Sequence, residues 1–214
     1  MTRGRFVTFE GGEGAGKSTQ VRLLIEALGR AGIDALATRE PGGAPGAEQI
    51  RRLLVEGDVG RWDPMTEALL HFAARRDHMA RTVWPALDAG RWVVSDRFAD
   101  STMAYQGHGQ ALDRSVIEGL YRLVLGDFAP DLTVILDLPV EVGLGRAAAR
   151  NGSGVEDRYE RMGLDFHRRL RQAFLDIAAR EPTRCVVIPA DGTPAAIHAA
   201  ILDALRLHLD IPVA

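Results

Sequence analysis

One glycine-rich run near the amino terminus limits what this chain can fold into. It follows an apolar run at residues 6–9 and precedes residues 17–31, where apolar side chains recur with a helical period. The run matches the pattern G-x-x-x-x-G-K-[ST] in the strand-to-helix context that the pattern requires. Glycines let backbone N–H groups surround phosphate oxygens at the start of a helix. The sequence therefore predicts an α/β protein with a nucleotide-binding P-loop.

Two side chains at the end of this run carry chemistry. Lys17 is the only lysine among 26 basic residues, and it would contact the β- and γ-phosphates of ATP. The Ser18 hydroxyl would contact Mg²⁺, the cofactor that bridges those phosphates. The predicted ATP site consists of Gly11, Gly12, Glu13, Gly14, Ala15, Gly16, Lys17, Ser18 and Thr19.

Strand-like runs alternate with helical segments along the whole chain. The runs fall at residues 6–9, 35–38, 92–95, 132–138 and 185–188. This alternation is typical of an open parallel sheet flanked by helices. With 214 residues, we expect one domain over 1–214. We also expect Ser115 to cap a helix that stops at Gly126, and a helix over residues 65–89 to break near Pro85.

Composition excludes several other classes of protein. The net charge of −3 gives no general attraction for nucleic acid, and no apolar stretch is long enough to span a membrane. The single cysteine, Cys185, excludes an internal disulfide framework, and the six histidines form no metal-binding pattern. We therefore expect a cytoplasmic protein that binds neither nucleic acid nor membrane.

A P-loop alone does not separate kinases from GTPases and motor ATPases. Guanine-specific switch proteins carry an Asn-Lys-x-Asp motif, which cannot occur here because Asn151 is the only asparagine and Lys17 the only lysine. The short chain also leaves little room for an effector module. These observations favour a kinase for a small molecule.

Arginines near the ends of two predicted strands indicate an anionic acceptor. Arg39 follows the second run, Arg97 follows the third, and Arg75 lies on the helix between them. Open α/β sheets bind ligands at the carboxyl edge, and planar guanidinium groups suit a phosphate. The three arginines therefore predict a second phosphate site beside the P-loop.

Four motifs resemble, in order, those of bacterial thymidylate kinases. They are residues 9–19, residues 39–43, Asp96-Arg97 and residues 104–107. The resemblance covers nearly the whole chain. It implies a five-stranded parallel sheet, a homodimer, and the reaction in which ATP and dTMP give ADP and dTDP.

The resemblance also implies site roles. It puts Arg39, Arg75 and Arg97 around the dTMP phosphate, Arg51 near the acceptor, Thr102 and Gln106 at the base, and Tyr105 and Glu13 beside the sugar. Where the family has a base-stacking Phe, this chain has His71, followed by Phe72, so either ring could meet the base. The catalytic candidates in this part of the chain are Glu13, Lys17, Asp96 and Arg97.

A mobile lid is predicted at about residues 146–161, around the flexible sequence of residues 151–154. Gly14 stands where one subgroup of the family has a basic P-loop residue, so the lid would supply that charge. The candidates are Arg146, Arg150, Arg158 and Arg161, of which Arg150 and Arg158 are our catalytic assignments. Alternatives to a dTMP kinase are a P-loop kinase for another deoxynucleotide or a deoxynucleoside, and a nucleotide-binding scaffold without catalysis.

Overall fold

Five strands form one parallel sheet in the computed structural model, which describes residues 3–150, 158–209 and 211. The sheet order is β2-β3-β1-β4-β5, and each neighbouring pair is parallel. The predicted five-stranded parallel α/β fold is confirmed. The strands are β1 (Phe6–Glu10), β2 (Ala35–Arg39), β3 (Trp92–Asp96), β4 (Leu132–Asp137) and β5 (Cys185–Pro189).

Helices connect the strands and cover both faces of the sheet. Two further segments, Met79–Val83 and Met103–Gly109, are π-helical. Among the described residues, no helix has the length and apolar character needed to cross a membrane. The α-helices are α1 (Lys17–Arg30), α2 (Pro45–Val55), α3 (Pro64–His78), α4 (Trp84–Asp88), α5 (Ala99–Thr102), α6 (Arg114–Leu125), α7 (Val140–Arg150), α8 (Leu164–Arg180) and α9 (Pro194–Leu209).

The start of α6 differs from the sequence prediction. Asp113, not Ser115, is the N-cap residue, and its carboxylate accepts a 2.7 Å hydrogen bond from the Ser115 backbone N–H. A carboxylate there also favours the positive end of the helix dipole. The predicted end is correct, because α6 stops at Leu125 and Gly126 follows with a φ of +62°.

The predicted break near Pro85 is confirmed. Helix α3 begins at Pro64, capped by Asp63, and passes into the π-helical turn Met79–Val83 before α4. Proline has no N–H with which to continue the α-helical ladder, so the hydrogen bonding must rearrange in the preceding turn.

The two faces of the sheet bury separate apolar clusters. Val7 and Leu24 belong to the cluster under α1 and α9, whereas Phe6, Val93 and Phe98 belong to the opposite one. Because both faces are covered, the carboxyl edge of the sheet is where the loops after β1, β2 and β3 can meet a ligand.

Candidate active site

The P-loop follows β1 and turns sharply into α1. Three of its glycines have positive φ values: Gly11 at +133°, Gly14 at +67° and Gly16 at +91°. Such backbone conformations favour residues without a β-carbon. The loop therefore has the conformation that directs backbone N–H groups toward phosphate oxygens at the amino end of α1.

Lys17 is largely buried at the base of this loop. Its Nζ donates to the backbone oxygens of Gly11 at 3.0 Å and Gly12 at 2.7 Å. Burial and the charge of Arg97 lower the pKa of Lys17 to about 8, so the ammonium stays protonated at neutral pH. A fixed positive charge at this point suits the β- and γ-phosphates of ATP.

Ser18 and Asp96 lie together beside Lys17. The Ser18 hydroxyl donates to Asp96 Oδ2 at 2.6 Å, which brings the P-loop against the end of β3. Two oxygen groups of this kind suit Mg²⁺, which prefers oxygen ligands and takes few from the protein. The described residues contain no cluster of three His, Cys, Asp or Glu side chains that could hold a metal by itself. The donor set therefore fits a magnesium ion shared with nucleotide phosphates.

Helix α7 packs directly on the P-loop through two glycines. A β-carbon built on Gly143 would lie 2.4 Å from the backbone oxygen of Glu13, and one on Gly14 would lie 2.0 Å from the backbone oxygen of Gly143. Neither position can hold a side chain without moving backbone. This packing explains why Gly14 cannot carry a basic side chain in the observed backbone arrangement.

This contact gives a prediction with a matched control. We expect Gly143→Ala to lower the melting temperature and to raise the KM for ATP, because overpacking costs about 1–3 kcal/mol and the strain falls on the P-loop. Gly145 lies on the same helix, and a β-carbon added there would have no atom within 4 Å. Gly145→Ala should stabilise the fold by about 0.5–1 kcal/mol. Thermal unfolding and ATP titration check both; equal effects of the two variants would contradict the packing argument.

A second group of charges surrounds Glu13. Arg97 Nη2 donates to Glu13 Oε1 at 2.8 Å, and the Tyr105 hydroxyl donates to the same oxygen at 2.6 Å. Burial alone would raise the pKa of Glu13, but the charges of Arg97 and Lys17 outweigh it and lower that pKa to about 2. Arg97 Nη1 also donates to Gly11 O at 3.0 Å. Arg97 thus joins β3, the P-loop and Glu13.

Two neighbouring cavities open at this edge of the sheet. The P-loop cavity, of about 250 Å³, contains Lys17 and Ser18 in its wall. The inner cavity, of about 130 Å³, contains His71 and Tyr105. Their common wall consists of Glu13, Glu40, Arg51 and Arg97.

The structure distinguishes the two candidate stacking rings. His71 lines the inner cavity, and its Nε2 lies 3.0 Å from the Tyr159 hydroxyl. Burial and nearby arginines lower the pKa of His71 to about 3, so the ring is neutral. Phe72 is 2% exposed and packs under the Arg75 guanidinium, 4.8 Å from its ring centre. His71 is therefore the ring that faces the cavity.

The other predicted acceptor residues are not equivalent. Arg39 and Arg51 line the P-loop cavity with Arg97, whereas Arg75 lies deeper, outside the walls of both cavities. Its Nε donates to Glu40 Oε2 at 2.7 Å and its Nη2 to the hydroxyl of Thr102 at 3.1 Å. The structure thus separates Arg75 from the arginines beside the P-loop, and only its Nη1 has no partner among the described residues.

The structure does not bring Arg158 to the wall of the P-loop cavity, which corrects our assignment of a catalytic role. This side chain is 0% exposed and donates to the backbone oxygens of Leu54 at 2.9 Å and Asp58 at 3.0 Å, and to the carboxylate of Glu67. Its hydrogen bonds instead hold the carboxyl-terminal end of the predicted lid against α2, α3 and the loop between them. Arg146 donates to Ala190 O at 3.1 Å and Arg161 to Gly57 O. The predicted lid sequence at residues 151–154 and the side chain of Arg150 lie outside the described part of the chain.

Several residues at the site were not found from the sequence. Glu10 ends β1 at the carboxyl edge, and Glu40 directly follows β2. A charged residue at the carboxyl end of a strand was the sequence signal that could have identified both. Glu67 carried a weaker one, a charged residue at a buried position of α3. Tyr159 had no signal of its own beyond the resemblance to a lid motif.

Glu10 gives a prediction about pH. Its carboxylate accepts from Phe98 N at 2.8 Å and from the Ser101 hydroxyl at 2.6 Å, and burial together with Asp100 raises the pKa of Glu10 from 4.5 to about 7. The folded state therefore keeps this proton up to a higher pH than the unfolded state does. As a result, the free energy of unfolding falls as pH rises from 4.5 through 7.

We expect Glu10→Gln to remove this loss, because an amide does not ionise. Its oxygen can accept from the backbone N–H groups of Phe98 and Ser101, and its NH₂ can donate to the Ser101 hydroxyl. Between pH 5 and pH 8 the stability of the variant relative to wild type should rise by about 2–3 kcal/mol in urea unfolding. Glu26→Gln, at an exposed glutamate on α1, is the control and should leave the pH dependence unchanged. Parallel curves for Glu10→Gln and wild type would contradict the prediction.

The fold and site together define a class of protein. A P-loop with its lysine and serine, next to a second cavity walled by arginines at the same sheet edge, is the arrangement of a P-loop kinase that acts on a phosphorylated small molecule.

Comparisons with known proteins name the family. A sequence model described as thymidylate kinase matches residues 9–201. Thymidylate kinase of Caulobacter vibrioides is 58% identical over 211 residues, covering 99% of this chain and 100% of the relative. That of Rhodopseudomonas palustris is 54% identical over 210 residues, covering 97% and 90%. The crystal structure of thymidylate kinase from Ehrlichia chaffeensis is 35% identical with a TM-score of 0.78, covering 95% of this chain and 99% of that one. The chain belongs to the thymidylate kinase family.

Proposed function

We propose that this enzyme transfers the γ-phosphoryl group of ATP to dTMP, giving ADP and dTDP. The observation that carries the proposal is the common wall of the two cavities. Donor phosphates bound at Lys17 and an acceptor phosphate bound in the inner cavity would meet at Arg97 and Arg51. Phosphoryl transfer needs this positioning and neutralisation of charge more than any covalent chemistry by the protein.

On the donor side, the P-loop backbone and Lys17 hold the phosphates of ATP. Ser18, supported by Asp96, would hold Mg²⁺, which would supply positive charge to neutralise the phosphates of ATP. The 2.6 Å contact between the two side chains supports this pairing of roles.

On the acceptor side, Arg39, Arg51 and Arg97 bind the monophosphate. Its attacking oxygen is already anionic at neutral pH, so no general base is required. Glu13, whose pKa is about 2, is a poor proton acceptor and instead orients Arg97 and Tyr105. Tyr105 packs against the sugar and leaves no space for a 2′-hydroxyl.

The base lies deeper in the inner cavity. The neutral ring of His71 stacks on it, and Gln106, which also lines the cavity, reads its edge. Arg75 and Thr102 support this end of the site, with Arg75 Nη1 available as a donor. Arg150, at the end of α7, remains our candidate for the lid arginine that contacts the transferring phosphoryl group.

The proposal also covers the oligomeric state of the enzyme and its location in the cell. Met65 and Leu69 on α3 and Leu123 on α6 are exposed, and Arg76 on α3 contacts Val124 O on α6. We infer that this apolar surface is buried against a second copy of the chain in a homodimer, which light scattering would measure. A cytoplasmic location stays a prediction from the sequence.

An acceptor panel tests the proposed reaction against its alternatives. ADP formation from ATP and Mg²⁺ would be followed with dTMP, dUMP, dCMP, thymidine and no acceptor. The proposal expects the highest kcat/KM with dTMP and only a modest preference over dUMP, since one methyl group discriminates by about 1–3 kcal/mol. A preference for thymidine would establish that the enzyme is a deoxynucleoside kinase. If no acceptor increased ADP formation, the chain would be a nucleotide-binding scaffold without catalysis.

A further inference from the structure

A buried carboxylate behind the inner cavity has no role in the reaction described above. Glu67 on α3 is 0% exposed. Its Oε1 accepts from Gln106 Nε2 at 2.7 Å, from Gln110 Nε2 at 2.9 Å and from the Tyr159 hydroxyl at 2.9 Å. Its Oε2 accepts from Arg158. Four donors from two separate segments, residues 106–110 and residues 158–159, thus converge on one side chain.

This arrangement fixes the orientation of the Gln106 amide. A carboxylate paired with a guanidinium accepts hydrogen bonds and donates none, so Gln106 must turn its NH₂ group toward Glu67. Its Oε1 is then left without a partner among the described residues and is shielded from solvent. Because Gln106 lines the inner cavity, it presents its carbonyl oxygen as an acceptor to the bound molecule, while its amide NH₂ is held by Glu67.

We propose that Glu67 is a positioning residue that sets base specificity by forcing Gln106 to offer its carbonyl oxygen to the acceptor nucleotide. The inference rests on the proposed function, in which the inner cavity holds the base. Thymine and uracil carry an N–H at ring position 3 and can donate to that oxygen. Cytosine has a lone pair at the same position, which leaves the buried oxygen unpaired and is therefore disfavoured.

The same carboxylate anchors the carboxyl-terminal end of the predicted lid, at residues 158–159. Tyr159 lines the inner cavity, lies 3.0 Å from His71 Nε2, and packs edge-on against Tyr105 with ring centres 5.2 Å apart. Glu67 therefore holds, through one pair of oxygens, both the reading residue Gln106 and a wall of the base pocket. A single carboxylate can perform both tasks because its two oxygens accept several hydrogen bonds.

Three variants test this role. Glu67→Gln supplies a side chain that can both donate and accept, so the Gln106 amide is free to turn. Gln106→Leu removes the reading oxygen and keeps the other three donors of Glu67. Gln110→Leu removes a donor of the same kind, at a residue that does not line the cavity, and is the matched control. The measurement is the ratio of kcat/KM for dTMP to kcat/KM for dCMP, with the KM for ATP determined in parallel.

The proposal expects this ratio to fall by about 10-fold or more in Glu67→Gln and Gln106→Leu, mainly through a higher KM for dTMP, and to stay at the wild-type value in Gln110→Leu. A loss of stability alone would lower both rates together and leave the ratio unchanged. Glu67→Gln could fail to fold because Arg158 loses its partner. In that case the difference in this ratio between Gln106→Leu and Gln110→Leu decides the outcome. An unchanged ratio in Gln106→Leu would overturn the positioning role of Glu67, and turnover of dTMP by the wild type would still support the proposed function. If the wild-type enzyme were inactive on dTMP, the proposed function itself would be overturned.

Discussion

Lys17→Ala should remove nearly all phosphoryl transfer while the chain stays folded. The ammonium group contacts charge that develops on the transferring phosphoryl group, and losing such a contact costs about 10²-fold or more in kcat. Its two hydrogen bonds go to loop carbonyls of Gly11 and Gly12, outside the apolar core. Steady-state kinetics with saturating dTMP and a thermal melt without nucleotide measure the two effects.

The control for this substitution is Arg22→Ala, a basic residue one turn further along α1 that pairs with Glu26 on the surface. Its kcat should match wild type. Retention of more than about a tenth of the wild-type kcat by Lys17→Ala would mean that the phosphate-binding role of the P-loop is assigned incorrectly, given the size of the lost contact.

Arg97→Ala should damage the acceptor side and largely spare the donor side. Arg97 donates to Gly11 O, to Ser101 Oγ and to Glu13, and it stands in the common wall of the two cavities. Removing a guanidinium that binds the monophosphate should raise the KM for dTMP and lower kcat, with a combined loss of about 10²-fold or more in kcat/KM. The affinity for ATP, measured by titration, should change only a few-fold.

Arg91→Ala provides the comparison, because Arg91 pairs with Asp34 at the opposite end of β3, away from both cavities. Its kinetics should be those of wild type. A variant of Arg97 that lost ATP affinity but kept dTMP affinity would show that the donor and acceptor sites are reversed.

The features of the fold and site that were predicted from the sequence depend on local patterns. The P-loop is contiguous, and each strand is a short apolar run between turn residues, so one stretch of chain contains the whole signal. The position of His71 in the cavity wall was open, because His71 and Phe72 are adjacent on α3 and periodicity alone did not determine which one faces the ligand. Packing decided it: Phe72 fills the space beneath Arg75.

The errors concern contacts between distant parts of the chain. Arg158 and Glu67 are separated by 91 residues, and three more bonds of Arg158 go to backbone oxygens between Leu54 and Val59. A backbone oxygen leaves no trace in the amino-acid sequence, so an arginine that binds several of them looks the same as one that awaits a phosphate. The depth of Arg75 was missed for a related reason, since its partner Glu40 lies 35 residues away on another element.

We expect this chain to move the γ-phosphoryl group of ATP onto dTMP, and this transfer can be measured directly. The most direct measurement uses ATP labelled at the γ-phosphate, dTMP and Mg²⁺ with purified enzyme, and follows the label by chromatography and mass spectrometry. We expect label in the terminal phosphate of dTDP, equal in amount to the ADP formed and absent when dTMP is omitted. Label released as inorganic phosphate, or no transfer to dTMP, would contradict it.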